Sequence, residues 1–201
     1  MVAIIDYGMG NVSSVQKALN FLKIENIITD DIDCIKNSTS IILPGVGSFS
    51  QGMENLKKKG LDHLLQEEVM INKKKILGIC LGMQLMMKFG TEPHDCEGLG
   101  WIDGNVVKIE QENLIVPHMG WNNLVVINND YYENLNGKDF YFIHSYHVLP
   151  KDSSVIAATV NYGFDIVASI QYQNIFATQF HPEKSQKAGL KLLETYFNQN
   201  A

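Results

Sequence analysis

A chain whose short apolar runs each end in a tight turn and continue into a helix has few ways to fold. Val2-Ala3-Ile4-Ile5 passes through Gly8, Gly10 and Asn11 into a segment with Val15, Leu19 and Leu22 on one face. Ile41-Ile42-Leu43 passes through Pro44-Gly45-Val46-Gly47 into helical residues 49–58 and 61–71. Ile76-Leu77-Gly78-Ile79 runs directly into a helix over residues 81–89. Strands that are apolar on both faces and alternate with helices predict a parallel sheet covered on both sides. The second half has a different rhythm. Residues 106–109, 124–127, 140–144, 155–160, 166–172 and 175–180 read as strands separated by Gly, Asn and Asp turns, as in hairpins. A last amphipathic helix carries Leu190, Leu193 and Phe197. The expected fold class is α/β, a central mixed and mostly parallel sheet flanked by helices, with antiparallel strands added in the second half. No linker or repeat interrupts it, so residues 1–201 read as a single domain.

Charge and cysteine usage narrow the function. A net charge of -6 argues against nucleic acid and anionic membranes as partners. No stretch approaches the roughly 20 apolar residues of a membrane span, and no basic leader precedes Asp6, so a cytoplasmic protein is expected. Cys34, Cys80 and Cys96 are scattered without a CxxC, which suits neither a disulfide framework nor a zinc site. All sixteen basic residues are lysine. Bidentate arginine clamps on phosphate are therefore impossible within this chain, and a phosphorylated substrate would be held by something else. The lysine runs at 57–59 and 73–75 read as solvated helix ends.

One turn stands out chemically. Gly78-Ile79-Cys80-Leu81-Gly82 lies where a strand becomes a helix, the pattern of a nucleophile elbow with cysteine as nucleophile. Glycines at 78 and 82 leave room around a side chain held at a strained turn. A helix N-terminus favours the thiolate, and the Leu81 N–H can face an oxyanion. A packed structural cysteine is the alternative reading of this turn alone. A cysteine nucleophile needs a base, and the base needs an orienting group. Phe180-His181-Pro182-Glu183 offers both after a strand, with residues i and i+2 of an extended segment on one side. His63 and His94 read as solvated, His118 sits in what looks like a binding loop at 117–122, and His144 and His147 flank Ser145-Tyr146. No carboxylate shares their spacing, so none reads as a metal ligand. The Gly45 to Gly47 turn can expose backbone N–H groups to an anion, although by itself it reads as an ordinary strand-to-helix turn.

Together these segments resemble the class I, or triad, glutamine amidotransferases over essentially the whole chain. More narrowly, Ile5 through Asn11 (IDYGMGN), Leu43 through Phe49 (LPGVGSF), Val116 through Asn122, His144-Ser145-Tyr146 and Phe180 through Gln186 (FHPEKSQ) are similar to the glutaminase subunits of imidazole glycerol phosphate synthases. The resemblance implies that Cys80 attacks the amide carbon of L-glutamine, His181 is general base and then acid, and Glu183 orients His181. It implies an oxyanion hole at Gly47 and Leu81, glutamine contacts from Gln84, Ser145 and Tyr146, and a partner interface near Asn11, Met119, Trp121 and Lys184. It further implies no cofactor or metal, and a heterodimer with a (β/α)₈-barrel cyclase that binds the phosphorylated substrate in histidine biosynthesis. A paralogue supplying ammonia to a related synthase, and a catalytically silent docking subunit, are the alternatives. The absent arginine and His147 after the HSY segment depart from the family's pattern.

Overall fold

The structure is a computed structural model, and it describes residues 1–111, 113–127 and 130–198. In chain order the strands are β1 (Val2–Ile5), β2 (Asn26–Thr29), β3 (Ser40–Gly45), β4 (Lys75–Cys80), β5 (Met87–Gly90), β6 (Cys96–Glu97), β7 (Ile102–Lys108), β8 (His118–Val126), β9 (Asp139–His144), β10 (Tyr146–Pro150), β11 (Ile156–Asn161), β12 (Asp165–Tyr172) and β13 (Ile175–Thr178). The helices are α1 (Val12–Phe21), α2 (Ile32–Asn37), α3 (Phe49–Lys58), α4 (Leu61–Leu65, continued as a wider π turn over Gln66–Ile71), α5 (Leu81–Leu85) and α6 (Gln186–Asn198).

Nine strands form the main sheet in the order β2-β1-β3-β4-β13-β12-β11-β8-β9. The pairings from β2 across to β13 are parallel, and those from β13 to β9 are antiparallel. The expected α/β class and mixed sheet are what the chain adopts. Successive residues of β1 bury on opposite faces: Ala3 and Ile5 join the core with α3 and α4, while Val2 and Ile4 join the core with α1 and α6. The alternation repeats in β3, where Ile41 and Leu43 face one core and Ile42 the other. Fully apolar strands therefore have a physical cause, since each side of the sheet is covered.

Several boundaries differ from expectation. The helix expected over 81–89 stops at Leu85, because the returning chain takes its last carbonyls: Leu99 N–H donates to Leu85 O at 2.8 Å and Trp101 N–H to Met86 O at 3.0 Å. Residues Met87–Gly90 then form β5 in a second, four-stranded sheet, β10-β7-β5-β6, which the sequence reading did not anticipate. The expected binding loop at 117–122 is instead mostly strand: β8 begins at His118 and pairs with β9 from His118↔His144 onward. The final strand ends at Thr178 rather than Phe180. The second lysine run is solvated only at Lys73. Lys74 makes a buried 2.6 Å ion pair with Glu68, and Lys75 lies 4.1 Å over the Tyr196 ring.

Candidate active site

Three neighbouring strands of the main sheet, β3, β4 and β13, end at one point. β4 ends in Cys80, held at φ +54°, ψ −109°, a left-handed conformation rare for a residue with a side chain. The tight turn is possible because both flanking glycines are in contact with backbone. A Cβ on Gly82 would overlap the Leu43 carbonyl, and one on Gly78 would sit 3.0 Å from Met83 N. The parallel register pairs Gly45 with Cys80, so the Val46-Gly47 turn after β3 lies beside the sulfur. Gly47 has φ +110°, which a residue with a Cβ rarely adopts.

On the other side, β13 pairs Thr178 with Ile79, which brings Gln179 level with Cys80. Past it, the chain is pinned by His181 N–H to Tyr141 O at 2.9 Å and by the Ser185 hydroxyl to His181 O at 2.6 Å. His181 Nδ1 meets Glu183 Oε1 at 2.8 Å, with both side chains only 2% exposed. The pair is made by a 3₁₀ turn, Pro182–Lys184, and not by the extended i, i+2 geometry expected from the sequence. His181 Nε2 is buried with no hydrogen-bond partner, and Cys80 is close enough for its charge to act on the ring. Burial alone would lower the affinity of His181 for a proton. The charge of Cys80, joined by the hydrogen bond and charge of Glu183, outweighs it and holds His181 raised to about 10. The site thus favours a protonated imidazole at His181.

A cavity of about 550 Å³ opens over Cys80. Among its lining residues are Gly47, Leu81, Gln84, Ser145, Tyr146 and Lys184. The structure therefore gathers the residues expected to form the triad, the oxyanion hole and the substrate contacts. Of the expected interface residues, Lys184 lines the same cavity, and Asn11 is exposed as the N-cap of α1. Met119 and Trp121 stand out from β8, 64% and 48% exposed. Tyr146 and His147 point to opposite sides of β10. Consequently His147 is buried away from the cavity, edge-on to the Phe164 ring.

Sequence reasoning missed Gln179 and the way buried polar groups around this cavity are joined to it. Gln179 is fully buried, and its Nε2 lies 3.7 Å from Cys80 Sγ. Gln84 Nε2 reaches Gln179 Oε1 at 3.1 Å and Tyr146 O at 3.0 Å. His144 Nδ1 also reaches Tyr146 O, at 2.9 Å, and its Nε2 is 3.0 Å from His118 Nδ1. Burial pushes His118 down to about 4 and His144 to about 3, so both rings are neutral near pH 7. Only strand alternation could have hinted that His118 and His144 face inward together.

The chain matches the family described as glutamine amidotransferase class-I over residues 3–199. It belongs to that family. Among curated relatives, imidazole glycerol phosphate synthase subunit HisH 1 of Campylobacter jejuni subsp. jejuni is 51% identical over 98% of each chain. Subunit HisH of Pelagibacter ubique is 42% identical over 98% of this chain and 99% of its own. In shape, a crystal structure titled glutamine amidotransferase superposes with TM-score 0.77 at 19% identity, covering 98% of this chain and 100% of that one. The structure of PurLQS from Thermotoga maritima gives the same TM-score, 0.77, at 19% identity, covering 98% and 97%. As a class-I glutamine amidotransferase, the chain is an enzyme of the cysteine-nucleophile type. No described helix is long and apolar enough to cross a membrane.

Proposed function

We propose that this chain is the glutaminase subunit of an imidazole glycerol phosphate synthase, a single cytoplasmic domain that hydrolyses L-glutamine for a separate (β/α)₈-barrel cyclase. The observation that carries this reading is the buried Cys80–His181–Glu183 alignment under a cavity lined by Gln84, Ser145 and Tyr146. Glutamine enters with its amide carbon over Cys80 Sγ. The thiolate attacks, and the carbonyl oxygen becomes an oxyanion held by the Gly47 and Leu81 N–H groups. Protonated His181 gives its Nε2 proton to the departing nitrogen, the C–N bond breaks, and ammonia leaves a glutamyl thioester. His181 then takes a proton from water, which attacks the thioester and releases glutamate with the thiol restored. Glu183 fixes the imidazole so that Nε2 faces the sulfur throughout.

Free ammonia in water at neutral pH is mostly ammonium, which is no nucleophile, so direct transfer is required. The cyclase would use it to make imidazole glycerol phosphate and AICAR in histidine biosynthesis. The lack of arginine suits a division of labour in which the partner binds the phosphates. A docking face is available beside the cavity, where Val46 and Ile143 are exposed apolar lining groups and Met119, paired with Ile143, and Trp121 extend the exposed apolar surface along β8. One observation favours a second reading. Methanococcus maripaludis has two proteins bearing the HisH subunit name, 44% and 42% identical to this chain. Where two copies coexist, one is free to serve a different barrel synthase.

The test is glutamate release from glutamine by the purified chain, alone and with the same organism's histidine-pathway cyclase and its nucleotide ligand. Strong stimulation that disappears in Cys80→Ala is expected. Cys80-dependent activity indifferent to that cyclase would move the subunit to another synthase. Activity that survives Cys80→Ala would remove the triad.

A further inference from the structure

Gln179 has no role in the mechanism above, yet it is a fully buried amide at the nucleophile. We propose that Gln179 is a further catalytic residue, whose side-chain N–H donates to Cys80 Sγ and holds the nucleophile as a thiolate. This deepens the glutaminase reading and rests on Cys80 being the nucleophile.

The direction of the bond follows from one backbone oxygen. The Tyr146 carbonyl can only accept. Gln84 touches it at 3.0 Å, so the touching atom of Gln84 must be Nε2. That same nitrogen lies 3.1 Å from an atom of Gln179, which must therefore be the acceptor Oε1. Gln179 then has only its Nε2 to turn to the sulfur, at 3.7 Å. The carbonyl sets a second arm in the same way. His144 must donate to it from Nδ1, so its Nε2 accepts from His118 Nδ1, and His118 Nε2 is left to accept from Asn122 at 3.4 Å. Both rings being neutral, each has one N–H and one lone pair, and the chain uses both. The carbonyl is thereby held by two donors, and the amide of Gln179 has no alternative orientation.

The sulfur's partners match a change of protonation state. A thiol can donate toward Ile143 O, 3.9 Å away. Once its proton has moved to His181 Nε2, the thiolate can only accept, and Gln179 Nε2 and the imidazolium are the donors it meets. Gln179 is not among the residues lining the glutamine cavity, so its loss should lower kcat and leave KM nearly unchanged.

The test uses Cys34→Ser, Cys96→Ser protein, in which Cys80 is the remaining thiol. Alkylation by iodoacetamide reads the thiolate without any glutamine turnover, so failure here is distinct from failure of the glutaminase reading. Gln179→Met removes the donor at similar size, and Gln179→Glu replaces it with an anion. Expected are alkylation at pH 7 about tenfold slower in the first, as for one hydrogen bond to a charged group, and slower still in the second. With cyclase present, kcat should fall about tenfold in Gln179→Met while KM stays within about twofold. Folded variants that alkylate at the wild-type rate would overturn the proposal. Should both variants unfold, the side-chain amide resonances of glutamine-labelled protein with native Gln179 decide it. One amide pair that moves as Cys80 ionises, and not in Cys80→Ser, is expected; no such pair would refute it.

Discussion

At Cys80 and His181 the fold opposes ordinary solution chemistry, and each residue is held by a specific neighbour. The thiol occupies a left-handed turn, and the buried imidazole keeps its proton because the sulfur and Glu183 outweigh desolvation. The neighbouring histidines go the other way. Folded His118 and His144 titrate at about 4 and about 3 instead of the ordinary 6.5, because burial disfavours their charged forms. The unfolded chain therefore takes up protons first as the pH falls. The stability these two rings contribute is complete above about 6.5 and lost progressively as the pH falls, down to about 4 for His118 and about 3 for His144. Thermal unfolding between pH 7 and pH 4.5 should show His118→Asn losing stability less steeply than wild type; equal slopes would mean His118 is not neutral in the fold. His181, raised in the fold, has the opposite sign: its contribution is complete below 6.5 and lost as pH rises through about 10.

Secondary elements matter here through where they end. β3, β4 and β13 finish side by side, and their turns supply Gly47, Cys80 and His181. Close packing sets those turns, so glycines of one type have different importance. A Cβ at Gly82 would overlap the Leu43 carbonyl, whereas one at Gly60, in the loop before α4, would meet nothing within 4 Å. Gly82→Ala should cost about 3 kcal/mol and abolish glutaminase activity by displacing the Cys80 turn. Gly60→Ala should cost about 1 kcal/mol, the penalty of a left-handed backbone, with activity retained. Thermal melts of the two variants with matched activity assays check the contrast. Legibility in the sequence follows the same logic. β1, β3 and β4 were readable because burial on both faces makes them apolar throughout. β2 was not, being a half-buried edge strand, and α2 has only six residues, started by Asp31 accepting from Cys34 N–H. The end of α5 depends on carbonyls captured by residues 99 to 102, a long-range event that local pattern cannot carry. Cys80, His181 and Glu183 were legible as candidates because the chemistry proposed for them demands unusual local sequence. Gln179 was not, because its importance lies in contacts with Cys80 and Gln84 that only the folded sheet creates.

Under the proposed function, the molecule as a whole separates chemistry from docking across one rim. The cavity is lined by Cys80 and also by the exposed apolar Val46 and Ile143, with Met119 paired to Ile143 across β8 and β9. An apolar rim beside a site that releases ammonia fits a partner seated over the cavity. Met119→Glu puts a charge into that contact. It should weaken stimulation by the cyclase more than about tenfold in a titration of cyclase against glutaminase rate, the loss typical of a central interface side chain. Undiminished stimulation would locate the partner elsewhere. The covalent chemistry is tested most directly by acid-quenching the chain with cyclase, cyclase ligand and glutamine in the steady state, then mapping peptides by mass spectrometry. A glutamyl adduct on the peptide containing Cys80, absent from Cys80→Ser, is the predicted result. Glutamate release with an adduct on Cys34 or Cys96, or with the Cys80 peptide never modified, would contradict the thioester mechanism.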